Sequence, residues 1–105
     1  MSEMQVLVKK RIRGYILVCL SLYSQESVNS EVIADFVRTC GLGASNADVE
    51  EQIAYLKDKG YLKVVEKGDL QISTKKTVIA EITAKGVDLK EGTMEKDAGI
   101  MFPVG

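Results

Sequence analysis

The order of hydrophobic patterns between residues 30 and 82 constrains the fold more than any other feature of this chain. Two short amphipathic helix patterns are joined by the turn sequence Gly41-Leu42-Gly43, and a pair of lysine-rich strand patterns follows them. A longer helix pattern precedes this segment and a short one follows it. The sequence therefore predicts an α+β domain with three N-terminal helices, a β-hairpin and a short C-terminal helix.

Apolar spacing and capping residues set the predicted boundaries. Helix one is predicted over residues 3–23, where apolar residues recur at steps of three and four: Met4, Val8, Ile12, Ile16, Cys19 and Tyr23. Helix two is predicted to begin near Ser30, capped by Asn29 or Ser30, and to end at Gly41. Helix three is predicted from a capping box at Ser45 to Lys59. Strands over residues 61–67 and 77–83 and a helix over residues 84–91 complete the prediction.

Composition limits the functions open to the chain. Its 105 residues suffice for one domain with a hydrophobic core, predicted over residues 1–92 with a C-terminal tail at 93–105. The sequence contains no histidine, which is the commonest general base and metal ligand, and no CxxC pair or glycine-rich phosphate loop. We therefore expect a protein that is not an enzyme and that holds neither a metal nor a cofactor.

The cysteines and the apolar runs bear on location. Cys19 and Cys40 both fall on apolar stripes of predicted helices, which favours buried free thiols over a disulfide. The longest apolar run, residues 15–20, is too short to span a membrane, and no small-x-small cleavage site follows it. We expect a cytoplasmic protein with no membrane contact.

The order of elements is that of a winged helix-turn-helix, which commonly places one helix in a DNA major groove and its hairpin, the wing, on the flanking phosphates. The charge opposes this role in part. Fourteen Lys and Arg against fifteen Asp and Glu give a net charge of −1, so no overall basic field attracts DNA. The outer face of helix three also repels phosphates, because it carries Asp48, Glu50, Glu51 and Asp58.

The candidate DNA contacts lie at the start of helix three and on the wing. Ser45 and Asn46 can donate hydrogen bonds to phosphates or a base edge, because recognition helices present their first residues to the groove. The lysines of the wing are Lys63, Lys67, Lys75 and Lys76. Two interpretations of these lysines stay open, namely phosphate contact and protection of an exposed sheet edge.

The second half of helix one is hydrophobic on nearly all sides, since further leucines lie outside the predicted stripe. We expect a homodimer in which Leu17, Leu20 or Leu22 is buried between chains; alternatively, the last helix and the tail of the same chain cover this surface. The preceding basic run consists of Lys9, Lys10, Arg11 and Arg13. It is interpreted either as a phosphate-contacting patch or as a solvated helix face.

One segment carries a resemblance to a known family. The sequence ITAKGVDLKEG at residues 82–92 resembles the strand-to-helix junction of bacterial winged-helix regulators of the MarR, PadR and ArsR type. With its size, the Gly60-Tyr61-Leu62 sequence and the DAGI sequence at 97–100, the chain resembles small winged-helix proteins of Mu-like phages and prophages. The resemblance implies an intracellular, dimeric DNA-binding protein. The tail departs from basic versions of this pattern, because residues 100–104 are IMFPV instead of Lys and Arg.

Two functional hypotheses follow. The first is a DNA-binding winged-helix protein of the transcriptional-regulator type, with double-stranded DNA as its partner. The second is a winged helix used as a protein interaction or assembly module without DNA binding. The tail is expected to be flexible or to dock through Ile100, Met101 and Phe102 in a groove of the same or a second chain.

Overall fold

Helix α1 (Glu3–Leu22) is the element against which the three later helices pack. The computed structural model describes residues 3–23, 26–68 and 76–103, and of residues 3, 4, 67, 68 and 76 it describes the backbone alone. The bounds of α1 agree with the predicted helix to within one residue. No helix among these residues is long and apolar enough to cross a lipid bilayer.

A short strand and two helices follow: β1 (Val28–Asn29), α2 (Ser30–Thr39) and α3 (Asn46–Asp58). Asn29 caps α2, because its side-chain oxygen accepts a hydrogen bond of 2.8 Å from the amide of Glu31. Gly41, with a φ of 97°, reverses the chain after α2. The predicted capping box of α3 is confirmed, since Ser45 and Asp48 each accept from the other's amide at 3.0 Å.

Strands β2 (Leu62–Gly68) and β3 (Lys76–Ile82) form the predicted antiparallel hairpin. In their register Lys63 lies opposite Glu81. Strand β1 adds to the other side of β3, with Val28 opposite Ala80, so the sheet order is β1-β3-β2. Strand β1 was not predicted, because two residues carry no periodicity and their partner strand lies far along the chain.

The last helix is α4 (Ala84–Glu91), as predicted. Thr83 caps it by accepting a hydrogen bond from the amide of Gly86 at 3.1 Å. Gly86 packs directly against the carbonyl group of Tyr61, where a Cβ atom would overlap the oxygen. This position in the 82–92 segment is therefore restricted to glycine by the close approach of α4 to the start of β2.

The hydrophobic core lies between α1, the two following helices and the inner face of the sheet. Leu17 and Leu20 are 0% exposed within it, so the prediction that these two side chains are buried between chains is wrong. Three later helices and β3 pack on α1, and together they cover a wider face than the predicted stripe. Leu22, the third predicted interface residue, is 68% exposed.

The two cysteines lie in different environments. Cys19 is buried in the core, as predicted, whereas Cys40 is exposed, so the prediction of two buried thiols is wrong for Cys40. Cys40 lies beyond the last turn of α2, at its C-cap. The apolar stripe of that helix therefore ends before this residue, and Val37 is its last buried member.

Candidate nucleic-acid interface

The start of α3 brings together two predicted site residues and one that was not predicted. Ser45 and Asn46 are both exposed. The Ser45 hydroxyl accepts from the amide of Asp48 at 3.0 Å and lies against the Asp48 carboxylate. The Nη1 of Arg38 donates to the side-chain oxygen of Asn46 at 3.0 Å and to the carbonyl oxygen of Ala44 at 3.1 Å. Arg38 thus joins the end of α2 to the start of α3.

Arg38 is the residue at this end of the fold that the sequence analysis missed. Its Nη2 lies 2.9 Å from an Asp35 carboxylate oxygen, an ion pair one helical turn apart on α2. The guanidinium is exposed beside Asn46, where it adds positive charge next to the candidate phosphate contacts. Its position in the last turn of α2, directly before the turn to α3, was the available clue in the sequence.

The first turn of α3 also carries an ionised carboxylate. Hydrogen bonds from the backbone amide and then the hydroxyl of Ser45 hold the pKa of Asp48 below its ordinary value of 3.8, although slight burial acts in the opposite direction. A carboxylate at this end stabilises the helix dipole, while it opposes an approaching phosphate.

The outer face of α3 is acidic, as predicted, and consists of Ala47, Glu50, Glu51, Ala54 and Asp58, all exposed. The Nζ of Lys9 lies 3.6 Å from a Glu51 carboxylate oxygen, and the hydroxyl of Ser30 lies 3.5 Å from one of Glu50. The Glu51 side chain remains 64% exposed, so this ion pair offsets its charge only weakly. The face retains a negative field toward an incoming DNA duplex.

The hairpin of β2 and β3 presents the predicted wing lysines unequally. Lys63 is exposed on β2, directly across from Glu81, whose charge opposes its own. The backbone of Lys67 pairs with Thr77 and that of Lys76 with Gly68. The side chains of Lys67 and Lys76, and all of Lys75, lie outside the described residues.

The basic run of α1 is divided between different roles. Lys9 faces Glu51, and Arg11 is exposed. Arg13 turns inward instead, and its guanidinium stacks over the Tyr55 ring with its central carbon 3.6 Å from the ring centroid. Arg13 therefore lies neither in a phosphate-contacting patch nor on a solvated face. Those two interpretations stay open only for the rest of the run.

A cleft, but no cluster of metal ligands, is found among the described residues. No three Asp, Glu or Cys side chains among them come together as metal ligands. A cleft of about 530 Å³ lies between α1 and the start of α3, with Val8, Lys9 and Gln52 in its lining. Glu51 also lines the cleft, so the Lys9–Glu51 ion pair lies at its surface.

This arrangement of helices and hairpin is similar to a solved protein. The chain resembles Bacillus subtilis PadR in a crystal structure of PadR in complex with operator DNA, with a TM-score of 0.58 and 13% sequence identity. The match covers 90% of this chain and 54% of that one, so this chain spans about half the length of PadR. The fold is a PadR-like winged helix. A scan against known protein families and a search of curated proteins find no match.

The winged-helix fold places the described candidate residues on two of its elements. Helix α3 is the second helix of the helix-turn-helix, so Ser45 and Asn46 stand where this fold commonly meets the DNA groove. The β2–β3 hairpin is the wing, and Lys63 lies near its base. The fold therefore places the two predicted groups of contacts on separate elements, one before and one after the body of α3.

Proposed function

We propose that this protein is a DNA-binding winged-helix protein of the transcriptional-regulator type. The winged-helix fold supports the proposal. In this fold the start of α3 has exposed residues, and the β2–β3 hairpin, which carries lysines, is a separate element. PadR, which has a similar fold, is bound to operator DNA in its crystal structure. In this chain the partner is double-stranded DNA.

The start of α3 and the wing contribute different contacts with DNA. At the start of α3, Ser45, Asn46 and Arg38 offer hydroxyl, amide and guanidinium groups to the DNA backbone or a base edge, while Asp48 opposes a phosphate. On the wing, Lys63, Lys67, Lys75 and Lys76 contact the backbone of the DNA. Phosphate contacts of this kind position a protein without specifying sequence.

The acidic outer face of α3 limits the affinity. Its carboxylates stand where base-edge contacts are made, and few cations accompany them. Affinity therefore comes mostly from phosphate contacts, and it falls steeply as salt rises. We expect weak and mostly non-specific binding.

A duplex titration across a salt series tests this proposal. Lys63→Ala should weaken binding to every duplex about equally and flatten the plot of log K against log [salt] by about one unit, the loss of one phosphate contact. Lys90→Ala is the matched control, because it removes the same charge from an exposed position on α4. Equal effects of the two variants would contradict a specific role for the wing.

The second candidate function is a protein interaction or assembly module. The acidic outer face of α3 and the exposed apolar side chains of Val32 and Val65 favour it, since such groups suit a protein partner better than a phosphate backbone. If the wild-type protein binds no duplex even at low salt, this second function replaces the first.

The proposal also covers assembly and setting. We infer a homodimer formed through the side of α1 that the chain leaves exposed, with Leu22 in place of Leu17 and Leu20, because these last two are core residues. Light scattering of the concentrated protein tests it, and a monomer would exclude it. We also propose a bacterial protein of phage or prophage association, which the 82–92 and 97–100 sequences favour, and a cytoplasmic, non-enzymatic one, which the composition favours.

A further inference from the structure

Residues 97–102, which we call the strap, begin with a hydrogen-bonded turn at 97–100 and then cross α1. The amide of Met101 donates to the carbonyl oxygen of Lys10 at 3.1 Å, and Ile100 is buried in the core at 7% exposure. The strap approaches α1 at Gly14, where a Cβ atom would overlap the carbonyl group of Met101. Glycine in the middle of a helix costs stability, so its presence here fits the close approach of the strap.

Arg13 connects the strap to α3. Its Nε donates to the side-chain oxygen of Gln52 at 2.7 Å, and its Nη1 donates to the carbonyl oxygen of Gly99 at 2.9 Å. The same guanidinium stacks on Tyr55, so it contacts two residues of α3. Gln52 is 2% exposed, and loss of Arg13 would leave its buried oxygen without this donor.

Asp97 holds the other end of the strap near the end of α3. Its carboxylate accepts from the Tyr61 hydroxyl at 2.7 Å and from the amide of Gly99 at 2.8 Å, and the Nζ of Lys59 lies 3.7 Å away. Burial acts to raise the pKa of Asp97, but these donors outweigh burial and hold the pKa below 3.8. The strap is therefore connected to α3 at two places: through Arg13 before the last turn of the helix, and through Asp97 after it.

We propose that the strap and Arg13 position α3 for DNA binding, with Arg13 acting through Gln52 and Tyr55. This inference rests on the proposed function. A helix whose first turn contacts DNA has to keep its place relative to the wing. The contacts at Gln52 and Tyr55 hold α3 from its inner side, and Lys59 at its C-cap lies beside Asp97 of the strap. Release of the strap lets α3 shift on α1, and its first turn shifts with it.

Hydrogen exchange on the free protein tests whether the strap holds α3 in place. Gly14→Ala should displace the strap, while the higher helix propensity of alanine in α1 offsets part of the lost packing. Amides in residues 52–59 should then exchange about tenfold faster than in the wild type. Gly43→Ala is the matched control, since a Cβ atom there meets nothing within 4 Å. Unchanged exchange in Gly14→Ala, or the same change in both variants, would overturn the inference.

Binding to duplex DNA tests whether the position of α3 affects affinity. Arg13→Lys keeps the charge but loses the planar fork and the stacking, so affinity should fall about tenfold while the salt slope stays the same. Loss of a phosphate contact would instead flatten the slope by about one unit. Arg11→Lys is the control, because Arg11 is an exposed neighbour on the same helix. All measurements are made at a temperature where every variant is folded.

The outcomes separate the inference from the proposed function. If the wild type binds duplex and Arg13→Lys binds with the same affinity, the inference is wrong and the proposed function stands. If the wild type binds no duplex, the proposed function fails and the coupling to DNA fails with it. Faster exchange in Gly14→Ala together with weaker binding in Arg13→Lys supports both.

Discussion

The inner and outer sides of α3 differ in how their polar groups are held. On the inner side, the side chains of Gln52 and Tyr55 are engaged by Arg13, and no buried side-chain nitrogen or oxygen among the described residues lacks a partner. On the outer side, Glu50 and Asp58 are exposed to solvent. Because buried polar groups need partners and exposed ones do not, the chain itself fixes the polar groups of the inner side and leaves those of the outer side exposed to solvent.

The largest effect on the free energy of unfolding is expected from a substitution on the inner side of α3. Leu56→Ala should lower the free energy of unfolding by about 2–5 kcal/mol, because Leu56 is fully buried in the hydrophobic core. Ala54→Ser on the outer side should change it by no more than about 0.5 kcal/mol. Urea unfolding followed by circular dichroism measures both, and similar values for the two variants would contradict the comparison.

A smaller effect on the free energy of unfolding is expected in the first turn of α3. Asp48→Asn should cost about 0.3–1 kcal/mol at neutral pH, because a carboxylate at the N-terminus stabilises the helix dipole. Since the pKa of Asp48 is lowered in the folded state, its contribution is present above the ordinary pKa of 3.8 and is lost as the pH falls through the lower, folded value. Unfolding measured between pH 7 and pH 2.5 should show the two proteins converging in acid. A constant difference would argue against this role.

The smallest effect on stability is expected on the outer side itself. Glu51→Gln removes an exposed charge and its weak ion pair with Lys9, so the free energy of unfolding should change by less than about 0.5 kcal/mol. Affinity for duplex DNA should rise a few-fold, because one fewer carboxylate faces the phosphates. Glu91→Gln on α4 is the control, and an equal gain there would mean that only net charge matters.

Local patterns predicted the helices and the hairpin to within one or two residues, because periodicity and capping are properties of neighbouring residues. Ser45 with Asp48, and Thr83 with Gly86, lie three residues apart, so their hydrogen bonds are visible in the sequence. The short strand β1 was missed because its pairing joins residues that are distant along the chain.

The candidate site was harder to predict for the same physical reason. Arg13 contacts Gln52 and Gly99, which lie 39 and 86 residues away in the sequence, so nothing local distinguishes it from Arg11. The error at Leu17 and Leu20 arose because the width of a buried helix face depends on how many elements pack around it. The acidic outer face of α3 was predicted correctly, since it depends on the periodicity of one helix alone.

The contrast between the two cysteines has a practical consequence for experiments on this protein. Burial, and to a smaller extent the neighbouring Cys40, raises the pKa of Cys19 to about 11, so almost none of it is the reactive thiolate at neutral pH. Cys40 is exposed at the end of α2, just before the turn that leads to α3. A maleimide fluorophore should therefore label the unmutated chain at Cys40 and report from beside the start of α3.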